Sequence, residues 1–267
     1  MKRVWFLVLS IIVLLIFVFL CMRNNKMIYA YFGFVLQAIF ETVLALIIEK
    51  IDLHGQGVKL FFQSIKYYSK EIRLSISYLY SIEIDGKYLL VKGNRIDNQF
   101  QPVGGVYKFY DEARPELEKF KYTLDTRMKN NNDPNDLRIR IKGKYLLKFM
   151  QWFKSMKDRE YDPRRELEEE LIKTGLIPEL FLKEIKYRKK YTHNNGITYS
   201  TYLQCDEYLY SDIFELKLND EQKQLIKDSV LTHPDELCLA SIDEIKKQCY
   251  DGIKKNIGNN AIWLLGE

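Results

Sequence analysis

Several things are scarce in this chain of 267 residues. Cysteine occurs four times, at Cys21, Cys205, Cys238 and Cys249, with no C-x-x-C spacing and no histidine pattern beside it. That excludes a disulfide framework and a zinc site, and leaves reduced, buried thiols as the expectation. The three histidines all fall in turn contexts: His54 beside Gly55 and Gly57, His193 before Asn194-Asn195, and His233 before Pro234. Excess charge is slight, with 41 Lys and Arg against 36 Asp and Glu, so no DNA or RNA partner is expected. Internal repeats are absent. The chain is not poor in aromatics: 19 Tyr and 15 Phe exclude a disordered tail.

Charge is missing altogether from Val4 to Cys21, and a second apolar stretch, Met27 to Ile48, holds only Glu41. Hydrocarbon about 30 Å thick needs roughly 20 apolar helical residues, so the pair reads as a transmembrane hairpin over residues 1–50. No small-x-small cleavage site follows the first stretch, which argues against a removed signal peptide. Lys2 and Arg3 favour a cytoplasmic N-terminus, Arg23 and Lys26 in the short turn oppose it, and Lys50 with the basic module behind it favours inside again. We expect a two-pass membrane protein with both termini cytoplasmic. Glu41, with Gln37 on the same helical face, lies at a depth where an ionisable group is costly; the position suits either an oligomer interface or pore, or a span that starts later or tilts and leaves Glu41 near the membrane surface.

Residues 51–70 read as a linker or interfacial helix, and 71–267 as one cytoplasmic α+β domain. Ile72 to Ile84 alternates as a strand, Asp85-Gly86 signals a hairpin, and Lys87 to Lys92 returns. Phe100 to Tyr110 carries the pair Gly104-Gly105, suited to a turn or to close approach of another group. Glu112 to Lys157 reads as an insertion, with a strand at Leu137 to Ile141 and a helix at Tyr145 to Phe153. Strands are expected at Leu182 to Tyr191 and Ile197 to Leu218, and helices at Asp220 to Asp228 and Ser241 to Tyr250.

Asp162-Pro163 starts a helix, Arg164 to Thr174, that ends at Gly175. Glu166, Glu169 and Glu170 stand at i, i+3 and i+4, which stacks three carboxylates on one face. Like charges so placed repel. The spacing suits either a solvated acidic face near a helix N-terminus or a site balanced by a cation, Mg²⁺ or Mn²⁺. Arg165 is placed to hold one carboxylate. In Lys183 to Tyr191, strand alternation sends Arg188 and Lys190 to one face, a candidate phosphate-binding wall or a plain solvated strand. Tyr199, Tyr202, Tyr208 and Tyr210 are candidates for stacking on a base.

The string RELEEEL, Arg165 to Leu171, resembles the core of the Nudix box, Arg-Glu, an aliphatic, any residue, then Glu-Glu. GKYLLVKG, Gly86 to Gly93, resembles the first Nudix strand, FQPVGG, Phe100 to Gly105, the Pro-Gly-Gly turn, and LASIDEIKK, Leu239 to Lys247, the late strand-to-helix element. The resemblance implies a Nudix-like α/β/α sandwich with metal ligands Glu166, Glu169 and Glu170, and with Gly104, Gly105 and Arg165 against the ligand. The chain departs from the pattern in three places. Asp111 stands for the usual Glu, Ile172 for the box glycine, and the spacing from Gly105 to Arg165 is longer.

Two membrane helices before such a module resemble effectors of bacterial CBASS antiphage operons that carry a SMODS-associated Nudix domain. That likeness implies a receptor for a cyclic nucleotide second messenger. The receptor would assemble into a homo-oligomer on activation, with the hairpin disrupting the bilayer. The alternatives are a metal-dependent Nudix hydrolase of a diphosphate-linked nucleotide, with Glu169 as catalytic residue, and a membrane scaffold with neither property.

Overall fold

This computed structural model describes residues 33, 35, 36, 39, 56–93, 98–125 and 133–266. The hairpin expected over Val4–Cys21 and Met27–Ile48 lies outside these, apart from Gly33, Val35, Leu36 and Ile39, which are helical. Among the described residues no helix is long and apolar enough to cross a membrane. The chain parts into two compact units, Met1–Phe61 and Phe62–Glu267. The second carries the fold below. A helix, α1 (Gln56–Lys66), runs across the division, with Phe62 and Ile65 exposed.

Strand β1 (Glu71–Ser81) is the spine. Its even positions Ile72, Leu74, Ile76, Tyr78 and Tyr80 are fully buried, each apolar side chain contributing about 1.5–3 kcal/mol by leaving water. Its odd positions Arg73, Ser75 and Ser77 are polar and face a cleft, the alternation a strand imposes. One neighbour is β10 (Cys205–Lys217), parallel to β1 in the register Arg73↔Glu207 to Ser81↔Glu215. β8 (Lys186–His193) and β9 (Ile197–Ser200) pair antiparallel with β10. On the opposite edge, β5 (Gly104–Val106) pairs with Ser77–Leu79 and β7 (Arg138–Lys142) with Glu71–Ser75. β6 (Thr123–Leu124) completes this sheet beyond β7.

A second, smaller sheet joins β2 (Glu83–Ile84), β3 (Lys87–Lys92), β4 (Phe100–Pro102) and β11 (Leu237–Ser241). Asp85 (φ 51) and Gly86 (φ 77) make the tight turn between β2 and β3, as the Asp-Gly pair predicts. The expected strand Ile72 to Ile84 is thus two strands, one in each sheet. The Leu239–Lys247 stretch forms β11 followed by α6 (Ile242–Lys247), started by a reciprocal cap between Ser241 and Glu244. Before it, α5 (Asp220–Thr232) begins at Asn219, capped the same way with Gln222.

The stretch Glu112 to Lys157 is not an appendage. It supplies α2 (Arg114–Glu118), β6, β7 and α3 (Leu146–Lys154). Through β7 it becomes part of the main sheet, and through Phe149 and Phe153 part of the core. Aromatic contacts run from Tyr78 through Tyr107 and Phe153 to Tyr210 at 4.7–5.4 Å between centroids, the first tilted and the other two edge-to-face.

Candidate functional site

The glutamate helix starts at Arg164, one residue later than Pro163 suggests, and Asp162 Oδ1 accepts the Arg164 N–H at 2.9 Å. It begins as α4 (Arg164–Leu167) and widens into a π turn over Glu168–Ile172, sealed by Lys173 N to Glu168 O at 2.8 Å. A bond from i to i+5 rotates later side chains away from the α-helical stacking. Glu166 and Glu169 therefore stay together while Glu170 turns aside, its Oε2 accepting the Gly104 N–H at 2.9 Å.

Arg165 is the hub of this wall. Its Nη1 donates to Glu166 Oε1 at 2.7 Å and Glu169 Oε2 at 2.8 Å, and its Nε to Glu160 Oε1 at 2.9 Å. Its Nη2 reaches Val106 O at 3.1 Å, Glu160 Oε2 at 3.3 Å and the Tyr78 hydroxyl at 3.4 Å. Every guanidinium nitrogen is thus committed to the protein. Burial raises the Glu166 carboxyl above its ordinary range, with Arg165 opposing and Glu169 adding to the shift. The glycine pair lets β5 lie close to both β1 and this helix. Gly104 has φ +152, and a Cβ there would strike the Tyr78 carbonyl. A Cβ on Gly105 would fall on the Glu166 side chain.

These residues form one wall of a cleft of about 1420 Å³. Its floor is the odd face of β1 with Glu207, Leu209 and Ser211 of β10, where the Ser77 and Ser211 hydroxyls bond each other. Its other wall comes from Asp133 to Arg138. Buried charges meet at the floor: Arg73 binds Asp125 at 2.5 Å and Glu207 at 3.1 Å, and Arg140 binds Asp125 at 3.0 Å. Asp136 is buried, and that burial pushes its carboxyl up to about 7, although Arg138 stands 3.2 Å away. Carboxylates outnumber basic side chains on the lining.

The structure therefore brings Gly104, Gly105, Arg165, Glu166, Glu169 and Glu170 to one cleft. Arg188 and Lys190 lie elsewhere, on β8 at the outer side of β10. Arg188 is 63% exposed and paired with Glu215 at 2.6 Å, and Lys190 falls at a register shift. Of the four tyrosines, Tyr208 and Tyr210 are core, Tyr199 is exposed off the cleft, and Tyr202, 77% exposed, lines it. Asp111 is on the surface with Arg114. Among the described residues, Cys205, Cys238 and Cys249 are unbridged. Sequence reasoning missed Glu160, Asp136, Arg138 and the serines of β1. The polar alternation Arg73, Ser75, Ser77 inside an otherwise apolar strand was the available signal.

A model of the SMODS-associated NUDIX domain matches residues 71–265. The chain belongs to that family. No curated protein matches it. The mixed α/β fold with its curled sheet fits a Nudix-like domain, which typically depends on a divalent metal. Glu166, Glu169 and Glu170 have the hard-oxygen chemistry that Mg²⁺ or Mn²⁺ prefers. Their arrangement here does not fit such an ion. Arg165 lies between the first two, the third bonds Gly104, and among the described residues no three carboxylates, histidines or cysteines form a metal-holding group.

Proposed function

We propose that this protein is a membrane-anchored effector of a CBASS antiphage system. Its NUDIX domain binds a cyclic nucleotide second messenger, and its N-terminal hairpins perturb the inner membrane once the bound domains assemble. The family supports the link to nucleotide signalling. The observation that carries the receptor reading is the state of the glutamate wall: its carboxylates are held by Arg165 and Gly104 beside a cleft of about 1420 Å³. Pockets for drug-sized ligands span about 300–1,000 Å³, so the space suits a ligand larger than one nucleotide, and exposed Tyr202 suits stacking on a base.

Ligand binding drives assembly only if the assembled state binds more tightly than the resting one. Adding cyclic di- and trinucleotides to the full-length protein in liposomes is expected to enlarge the oligomer and release an entrapped dye. Binding without either change would remove the effector reading. Metal-dependent hydrolysis is the alternative that Arg165, lying between Glu166 and Glu169, opposes. Release of monophosphate that requires Mg²⁺ or Mn²⁺ and is lost in Glu169→Gln would establish it.

A further inference from the structure

The basic side chains of the cleft differ in how fully they are compensated. Arg165 has acceptors at every nitrogen, and Arg73 holds two carboxylates. Lys108 pairs with Asp133 at 2.8 Å, and Lys92 with Glu236 at 3.2 Å. Arg138 is the exception. Its side chain is only 10% exposed, and its buried Nε–H has no acceptor among the described residues. Its one carboxylate is Asp136, whose own burial holds its charge back near neutral pH. A buried donor left without an acceptor costs about 1–3 kcal/mol, more when charged. An arriving anion would relieve that cost.

Strand register fixes where this happens. Arg138 stands opposite Ser75, whose hydroxyl lines the same floor, while Gly104 stands opposite Leu79 on the same edge of β1. Four residues at about 3.3 Å each place the two points roughly 13 Å apart along the strand. We propose that Arg138, with Ser75 beside it, is the phosphate-recognition point of the cleft, and that the ligand is a phosphodiester long enough to lie along β1 from there toward the glutamate wall. This rests on the nucleotide-receptor reading and adds to it which residue reads the anion. Arg–phosphate pairing is the charge-assisted bond the geometry favours.

The test is calorimetric titration of the full-length protein in detergent with a panel of cyclic di- and trinucleotides, and with orthophosphate as the bare-anion arm. The panel's tightest binder is expected to lose roughly 10- to 100-fold in affinity in Arg138→Gln. Asp136→Asn, which leaves Arg138 in place and removes its competitor, is expected to bind several-fold more tightly at pH 8. Affinity within twofold of wild type in both variants would overturn the inference and leave the receptor reading standing. Wild-type protein that binds no panel member would overturn both. Orthophosphate binding as tightly as the best nucleotide would overturn the extended ligand. If Arg138→Gln fails to fold, the Asp136→Asn titration decides alone, and unchanged affinity refutes.

Discussion

Replacing Arg165 by Gln should destabilise the domain, because three carboxylates of the cleft wall depend on it. Arg165 is 22% exposed and touches three carboxylates, of which Glu160 and Glu166 are largely buried and Glu169 is 38% exposed. Removing one partner of a buried pair leaves an uncompensated charge, at about 3–5 kcal/mol. The exposed Glu169 arm adds little, about 0–1 kcal/mol. Partial solvent access puts the net loss at about 3 kcal/mol, a fall in Tm of roughly 6–12 °C for a domain of this size. The sign of the pH dependence follows. Glu166 is already raised by burial, and losing Arg165 raises it further. A carboxyl raised in the folded state stabilises at low pH and loses that contribution as pH climbs through its folded pKa. The penalty should therefore be smaller at pH 5 than at pH 8. Urea denaturation of wild type and Arg165→Gln at both values measures it. A loss below about 1 kcal/mol, or one independent of pH, would refute the hub.

Asp136→Asn gives a second titration. The wild-type carboxyl, pushed up to about 7, should cost stability between roughly pH 4 and 7 at up to about 1.4 kcal/mol per unit. The variant should therefore gain on wild type across that window, and parallel stability curves would contradict this. Gly104→Ala should lose about 2 kcal/mol or more, because its φ and the Tyr78 carbonyl both oppose a Cβ; circular-dichroism melting would show it. Native alkylation followed by peptide mapping should label Cys205 and Cys249 before Cys238, which is fully buried with its thiol pushed up. Early labelling of Cys238 would contradict the packing.

Local chemistry was the legible part of the sequence. The Asp85-Gly86 turn, the helix beginning at Ser241 and the glutamates on one helix depend on neighbours a few residues apart, where spacing carries the physics. The π turn was not legible, since residues 168–172 have ordinary helical composition and one bond from Glu168 O to Lys173 N decides where Glu170 points. Nor was Glu160 as the anchor of Arg165, or the pairing of β1 with β10, which joins residues 134 apart. Lys186 to His193 read as a basic wall because alternation ignores sheet order, and β8 lies beyond β10 from the cleft floor. Residues 112 to 157 read as an insertion because the polar tract inside them hides that β7 borders the central strand.

That bordering strand has a practical cost for anyone shortening the protein. Excising 112–157 to match a leaner relative would strip the backbone partners of Glu71 to Ser75 and uncover a row of isoleucine and leucine beside them. A bare apolar edge of that kind recruits other chains, so the truncated product should precipitate rather than report on the pocket.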